Sequence, residues 1–164
     1  MNPQGMLPGD VVLVRRASGL FDRLVQFGTV SPYFHSAMVV DTGRVIEADF
    51  HGVQYTTLYT YKFSGDLWVP QGVTDAQRAK AVAFCEARLG KPYGWKDVLE
   101  DLGRIAFHIP FGYNWVHWSH FDCSCLIAAA WFNAGRPLTR TPIPTPADLG
   151  WSEILLPDST VATP

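Results

Sequence analysis

Two hydrophobic periods divide this chain. After the turn Pro8-Gly9-Asp10, VVLVRR reads as a strand. Residues 34–40, FHSAMVV, form a second, and RVIEADF returns after a tight loop at 41–43. Residues 55–69, rich in Tyr, Thr and Phe, hold one more strand that ends at DLWVP. The period then becomes helical. Residues 74–89, TDAQRAKAVAFCEARL, form an amphipathic helix, with Thr74 as N-cap, Gln77 completing a capping box and Gly90 as the stop. A second helix is LIAAAWF, preceded by Asp122 as N-cap and closed by Gly135. Residues 19–27, GLFDRLVQF, also carry helical spacing until Ser31-Pro32 breaks it. Residues 91–120 are irregular and aromatic, and the Pro- and Thr-rich chain from Pro137 wraps the surface or trails off. This order predicts an α+β fold with a largely antiparallel sheet.

Length and composition narrow the classes. At 164 residues, the chain is read as one domain over 1–150 with a C-terminal tail over 151–164. It is 48% hydrophobic, which excludes general disorder. A net charge of −2 gives no electrostatic case for nucleic acid. No apolar run reaches the length of a membrane span. The start, MNPQGMLPGD, has no basic segment followed by an apolar one, so no signal peptide is expected and the chain is expected to be cytoplasmic when made. Three unevenly spread cysteines argue against a disulfide framework and for a working thiol or a reduced compartment.

The chemistry concentrates in FDCSC, residues 121–125. Cys123 falls in the first turn of the apolar helix, where the positive end of the helix dipole favours a thiolate. A thiolate is the nucleophile of acyl transfer. The plain alternative is a small buried Cys in a packed helix. Cys85, mid-helix, is expected to be inert core.

Such a nucleophile needs a base. Of five histidines, His35 lies on a predicted strand. A three-residue loop at 41–43, with Gly43 left-handed in a type I turn plus G1 bulge, pairs Val40 with Arg44. His35 then lies opposite Asp49 and Ala37 opposite Glu47, so His35, Glu47 and Asp49 share a face. A carboxylate beside the ring fixes its tautomer and steadies its charge. Either Glu47 or Asp49 fits, and a solvent-facing His beside surface acids fits as well. Tyr93, in LGKPYGW, is a candidate donor to an oxyanion, or else turn packing.

These pieces together resemble a circularly permuted member of the NlpC-type, papain-like cysteine peptidase superfamily. PGDVVLV resembles its Gly-Asp strand, FHSAMVVDTGRVIEA its His strand and hairpin with HGV following, and LGKPYGW and FDCSCLIAAAWFNAG its Tyr and nucleophile segments. LFDRLVQFGTVSPYFH resembles the run before the His in the permuted, YiiX-like branch. The resemblance covers roughly residues 7–135. It implies a papain-like antiparallel sheet packed against helices, with Cys123 as nucleophile, His35 as base, Glu47 as the third polar residue and Tyr93 near the oxyanion. It also implies amide cleavage in cell-wall peptides, with no cofactor. The permuted branch includes lipid-directed acyltransferases and hydrolases that use the same dyad on esters. A non-catalytic module keeping the fold is a third class.

Two departures stand out. Cys125 replaces the usual Gly of the nucleophile motif, and an aromatic insert carrying Phe107, Phe111, Tyr113, Trp115 and Trp118 separates Tyr93 from Cys123. The insert over 105–120, or the tail, is a candidate dock for a structural partner such as a phage tail, which would reconcile a wall substrate with the lack of a signal peptide. His117, His120, Cys123 and Cys125 are zinc ligand types, but a Cys-x-Cys at a helix start chelates poorly, so no metal is expected.

Overall fold

The structure, a computed structural model, describes residues 5–15, 19, 23, 26–27, 29–62, 64–94, 121–141 and 144–158. The helix expected over 19–27 lies largely outside these residues, and the aromatic insert lies wholly outside them. The described residues form one antiparallel sheet and three α-helices. The strands are β1 (Val11–Val14), β2 (His35–Val39), β3 (Arg44–Asp49), β4 (Gly52–Thr57), β5 (Gly65–Pro70) and β6 (Leu155–Pro157), in the order β4-β3-β2-β1-β5-β6. The helices are α1 (Asp75–Glu86), α2 (Cys123–Asn133) and α3 (Pro146–Gly150). The fold is α+β, as the pattern predicts.

Alternation along the strands divides the core into two. Val11, Leu13, Met38, Ile46 and Ala48 face the helices and pack with Phe84, Leu126, Ile127 and Trp131. Val12, Val14, Ala37, Val39 and Val45 form the opposite face, closed by Leu58 and Leu67. Leu126 and Ile127 of α2 are fully buried, and each such side chain stabilises by roughly 1.5–3 kcal/mol. Asp10, of the Pro-Gly-Asp turn, accepts from Arg78 Nη1 at 2.7 Å and from the Leu7 N–H at 2.8 Å, tying the start of β1 to α1. Burial nonetheless pushes the Asp10 carboxyl above its usual range.

The β2–β3 hairpin has the expected register, with Met38 opposite Ile46 and Val39 opposite Val45. Its turn is built differently. Gly43 is absent from the positive-φ glycines. Instead Asp41 Oδ1 accepts from the Gly43 and Arg44 N–H groups at 2.9 and 2.8 Å, so a side chain fixes the loop.

The strand expected over 55–69 is two strands, β4 and β5, separated by a 3-10 turn at Leu58–Tyr61. β4 begins after the two-residue turn Phe50-His51, with Asp49 opposite Gly52. Gly52 has φ +101, and a Cβ there would lie 2.4 Å from the Lys91 carbonyl oxygen. Only glycine lets the 90–91 segment lie against β4, where Val53 donates to Lys91 O at 2.9 Å and accepts from the Gly90 N–H at 2.8 Å. That pairing also explains why α1 stops at Glu86, short of residue 89. Arg88 and Leu89 close tight turns onto Cys85 O and Glu86 O, and Gly90, at φ +78, swings the chain back to β4.

The capping box of α1 forms as predicted. Gln77 N donates to Thr74 Oγ1 at 3.2 Å, and Thr74 N donates to Gln77 Oε1 at 3.0 Å. α2 ends in a Schellman motif, with Arg136 N on Trp131 O and Gly135 N on Phe132 O, each at 2.9 Å.

Residues 155–157, assigned by sequence to the tail over 151–164, form β6 on the edge of β5, with Pro70 opposite Leu155 and Trp68 opposite Pro157. Leu155 is fully buried. The strand is short and ends at a proline, so its stability comes from pairing and burial and not from its own propensity.

Candidate active site

The site assembles where β2 and α2 begin. Asp122 has extended backbone and caps α2, its Oδ1 accepting from the Cys125 N–H at 2.7 Å. Cys123 is therefore the first helical residue, beside backbone N–H groups that no helical carbonyl satisfies. It is 6% exposed, as is Cys125. Cys85 is fully buried, and burial pushes its thiol up, in keeping with inert core.

His35 is the first residue of β2. Its Nε2 lies 2.6 Å from Glu47 Oε2, and the Cys123 thiol is near enough to act on the ring. With Nε2 committed to Glu47, Nδ1 is the ring nitrogen left for the thiol. Burial alone would lower the imidazole pKa. The negative charge of Cys123 and the bonds to Cys123 and Glu47 outweigh burial and push it up to about 10. The carboxylate on one side and the thiol on the other thus both favour the protonated ring.

Glu47 is buried, which favours its neutral form, but His35, Thr56 and Tyr61 together hold its carboxyl below the ordinary range. Thr56 Oγ1 donates to Oε1 and Tyr61 OH donates to Oε2. Asp49 is engaged elsewhere. It accepts from the His51 N–H at 2.8 Å and from Gln54 Nε2 at 2.7 Å. Of the two acids that sequence leaves open, Glu47 is the one on His35.

Tyr93 reaches the site through the backbone. It bridges to Phe121, and the next residue, Gly94, donates to Phe121 O at 3.0 Å, which brings the LGKPY segment beside the start of α2. Burial, followed by the charges of Cys123 and Asp122, raises the Tyr93 phenol, which stays protonated and able to donate. Its ring lies 5.8 Å from that of Phe50, which is 56% exposed.

The structure thus brings together Cys123, His35, Glu47 and Tyr93, from three distant stretches of chain. It adds Thr56 and Tyr61, which sequence reasoning missed. Thr56 was legible in principle, because the Phe50-His51 turn places it diagonally across from Glu47 on the same face. Tyr61 carried no such signal, since its position depends on a 3-10 turn that local pattern does not show.

Among the described residues, no group of three or more His, Cys, Asp or Glu is placed to hold a metal ion. His117 and His120 lie outside them. No helix among the described residues is long and apolar enough to cross a membrane.

The fold resembles that of the metalloprotein YiiX from Escherichia coli O157:H7, of the DUF1105 group. The TM-score is 0.69 at 17% sequence identity, over 92% of this chain and 94% of that one. No protein-family model matches the chain, and no curated protein does.

Proposed function

We propose that this chain is a papain-like cysteine hydrolase of permuted NlpC type, cleaving amide bonds in peptidoglycan peptides. The observation that carries the reading is the alignment of Cys123, His35 and Glu47. A thiol at a helix start lies beside an imidazole, one nitrogen of which is 2.6 Å from a buried carboxylate. That is a nucleophile, a base and an orienting group in series. The YiiX-like fold supports the permuted branch, and the cell-wall substrate rests on the motif resemblance.

In the proposed reaction, the Cys123 thiolate attacks the acyl carbon. Helix-start N–H groups and the Tyr93 hydroxyl steady the oxyanion. The C–N bond breaks as His35 gives its proton to the leaving amine. His35 then takes a proton from water, whose oxygen attacks the thioester, and the acid and the free thiolate–imidazolium pair are regenerated.

YiiX is a metalloprotein, but the described side chains here do not fit a resident metal. Both Glu47 oxygens already accept hydrogen bonds and His35 Nε2 is committed to one of them. Among the described residues no three His, Cys, Asp or Glu side chains converge, and a catalytic zinc site takes three protein ligands. No step passes through one.

The test is turnover of muropeptide fragments, with acyl esters run in parallel, by wild type and Cys123→Ala. Cleavage of the peptides by wild type alone supports the reading. Turnover of esters but not peptides moves it to the lipid-directed branch. Turnover of neither by folded wild type, or equal turnover by the variant, contradicts it. For location, we propose synthesis in the cytoplasm and delivery on a particle such as a phage tail. Mass spectrometry of purified particles checks this, and absence of the chain would contradict it.

A further inference from the structure

The line of contacts from Cys123 through His35 does not end at Glu47. Both oxygens of that carboxylate are filled, Oε2 by His35 Nε2 and the Tyr61 hydroxyl, Oε1 by the Thr56 hydroxyl. The Glu47 side chain is 3% exposed. Among the described residues, the other polar groups near Glu47 on this face are Gln54, directly opposite on β4, and Asp49, two residues along β3, whose carboxylate is occupied by Gln54 and the His51 N–H. Cys123 lies beyond the ring. No positive charge other than His35 is among these groups.

Tyr61 arrives by a specific route. β4 ends at Thr57, and a single 3-10 turn, anchored by buried Leu58, carries the chain to Tyr61. Its ring lies 6.0 Å from that of His35. A buried carboxylate is costly unless its lone pairs are filled, and one ring N–H does not fill them. Tyr61 suits the task because its own phenol stays protonated: burial and the adjacent Glu47 charge both raise its pKa. It therefore always donates and never competes with His35 for the proton.

We propose that Tyr61 is a positioning residue, keeping Glu47 ionised and aimed at His35, with Thr56 as the second hold. The kinetic consequences rest on the hydrolase reading, whereas the titration of Glu47 does not.

The test therefore has two arms on Tyr61→Phe. Carbon-13 NMR of labelled Glu carboxyls should show Glu47 titrating at higher pH in the variant than in wild type. Peptide hydrolysis should show kcat down roughly tenfold, the equivalent of one hydrogen bond to a charged group, with KM unchanged and the acid limb of the pH profile moved up. In a Glu47→Gln background, Tyr61→Phe should add no further loss. An unmoved Glu47 titration, or losses that multiply in the double variant, would overturn the proposal. Should Tyr61→Phe fail to fold, Thr56→Val is expected to raise the Glu47 titration, with Thr56→Ser restoring it. A shifted titration in a wild type that hydrolyses neither peptide nor ester would sink the hydrolase reading and leave the positioning of Glu47 intact.

Discussion

His35 Nε2 and Glu47 Oε2 lie 2.6 Å apart, on strands paired so that the two side chains share one face of the sheet. With Cys123 on the other side of the ring, this contact sets His35 between a buried carboxylate and a thiol.

Removing either partner should therefore be visible in the ring itself. In Cys123→Ala the His35 pKa is expected to fall from about 10, because its largest stabilising charge is gone. Proton–nitrogen NMR of the imidazole reads this directly. Turnover should be abolished, and the stability tied to the raised His35 value should shrink, beyond the cost of about 1 kcal/mol for one buried heavy atom.

Glu47→Gln keeps the shape and removes the charge. The His35 pKa should again fall, and kcat/KM should drop by roughly 10- to 100-fold, less than the loss at Cys123. Steady-state kinetics and the same imidazole titration check both.

The pair also sets how stability varies with pH. The His35 value is raised from 6.5 to about 10, so its contribution is full below about pH 6.5 and is lost as the pH climbs through about 10. The Glu47 value is lowered from 4.5, so its contribution is present above that value and is lost as the pH falls. Urea midpoints should decline at both ends. In Glu47→Gln the acid-side decline should be shallower than in wild type, and in His35→Gln the alkaline-side decline should be.

Gly52→Ala should be damaging for a backbone reason. The new Cβ would meet the Lys91 carbonyl at 2.4 Å and would sit at φ +101. A loss of roughly 1–3 kcal/mol is expected from urea melts. Because the displaced segment leads into Tyr93, turnover should also fall by more than the folded fraction explains.

The edge strand supplies a test far from the chemistry. Leu155→Ala should cost about 2–5 kcal/mol by cavity formation. A chain ended at residue 150 should lose β6 and unfold at lower temperature. Circular dichroism melts distinguish this from a dispensable tail.

What the sequence revealed follows from how local each signal is. Thr74 with Gln77, and Asp122 with Gly135, declare helix ends through groups within a few residues of one another. That His35, Glu47 and Asp49 share a face is legible because a hairpin register depends on loop length, and the register holds even though Asp41, not a left-handed Gly43, fixes the loop. The choice of Glu47 over Asp49 needed the structure, since Asp49 is withdrawn by Gln54 on a strand the pattern had merged with β5. Tyr61 and β6 were hidden for the same reason. Each is placed by long-range contacts, to Glu47 and to β5, and not by its neighbours in sequence.

The most direct test of the account is selective alkylation. Cys123 and Cys125 are each 6% exposed and share the first turn of α2, so Cys125 serves as the internal reference for Cys123. The protein is treated with limiting iodoacetamide between about pH 5 and about pH 8, and the label is mapped by mass spectrometry. Cys123 alone should be labelled at the acid end, and His35→Ala should remove this selectivity. Equal labelling of Cys123 and Cys125 at every pH, or selectivity that survives His35→Ala, would contradict it.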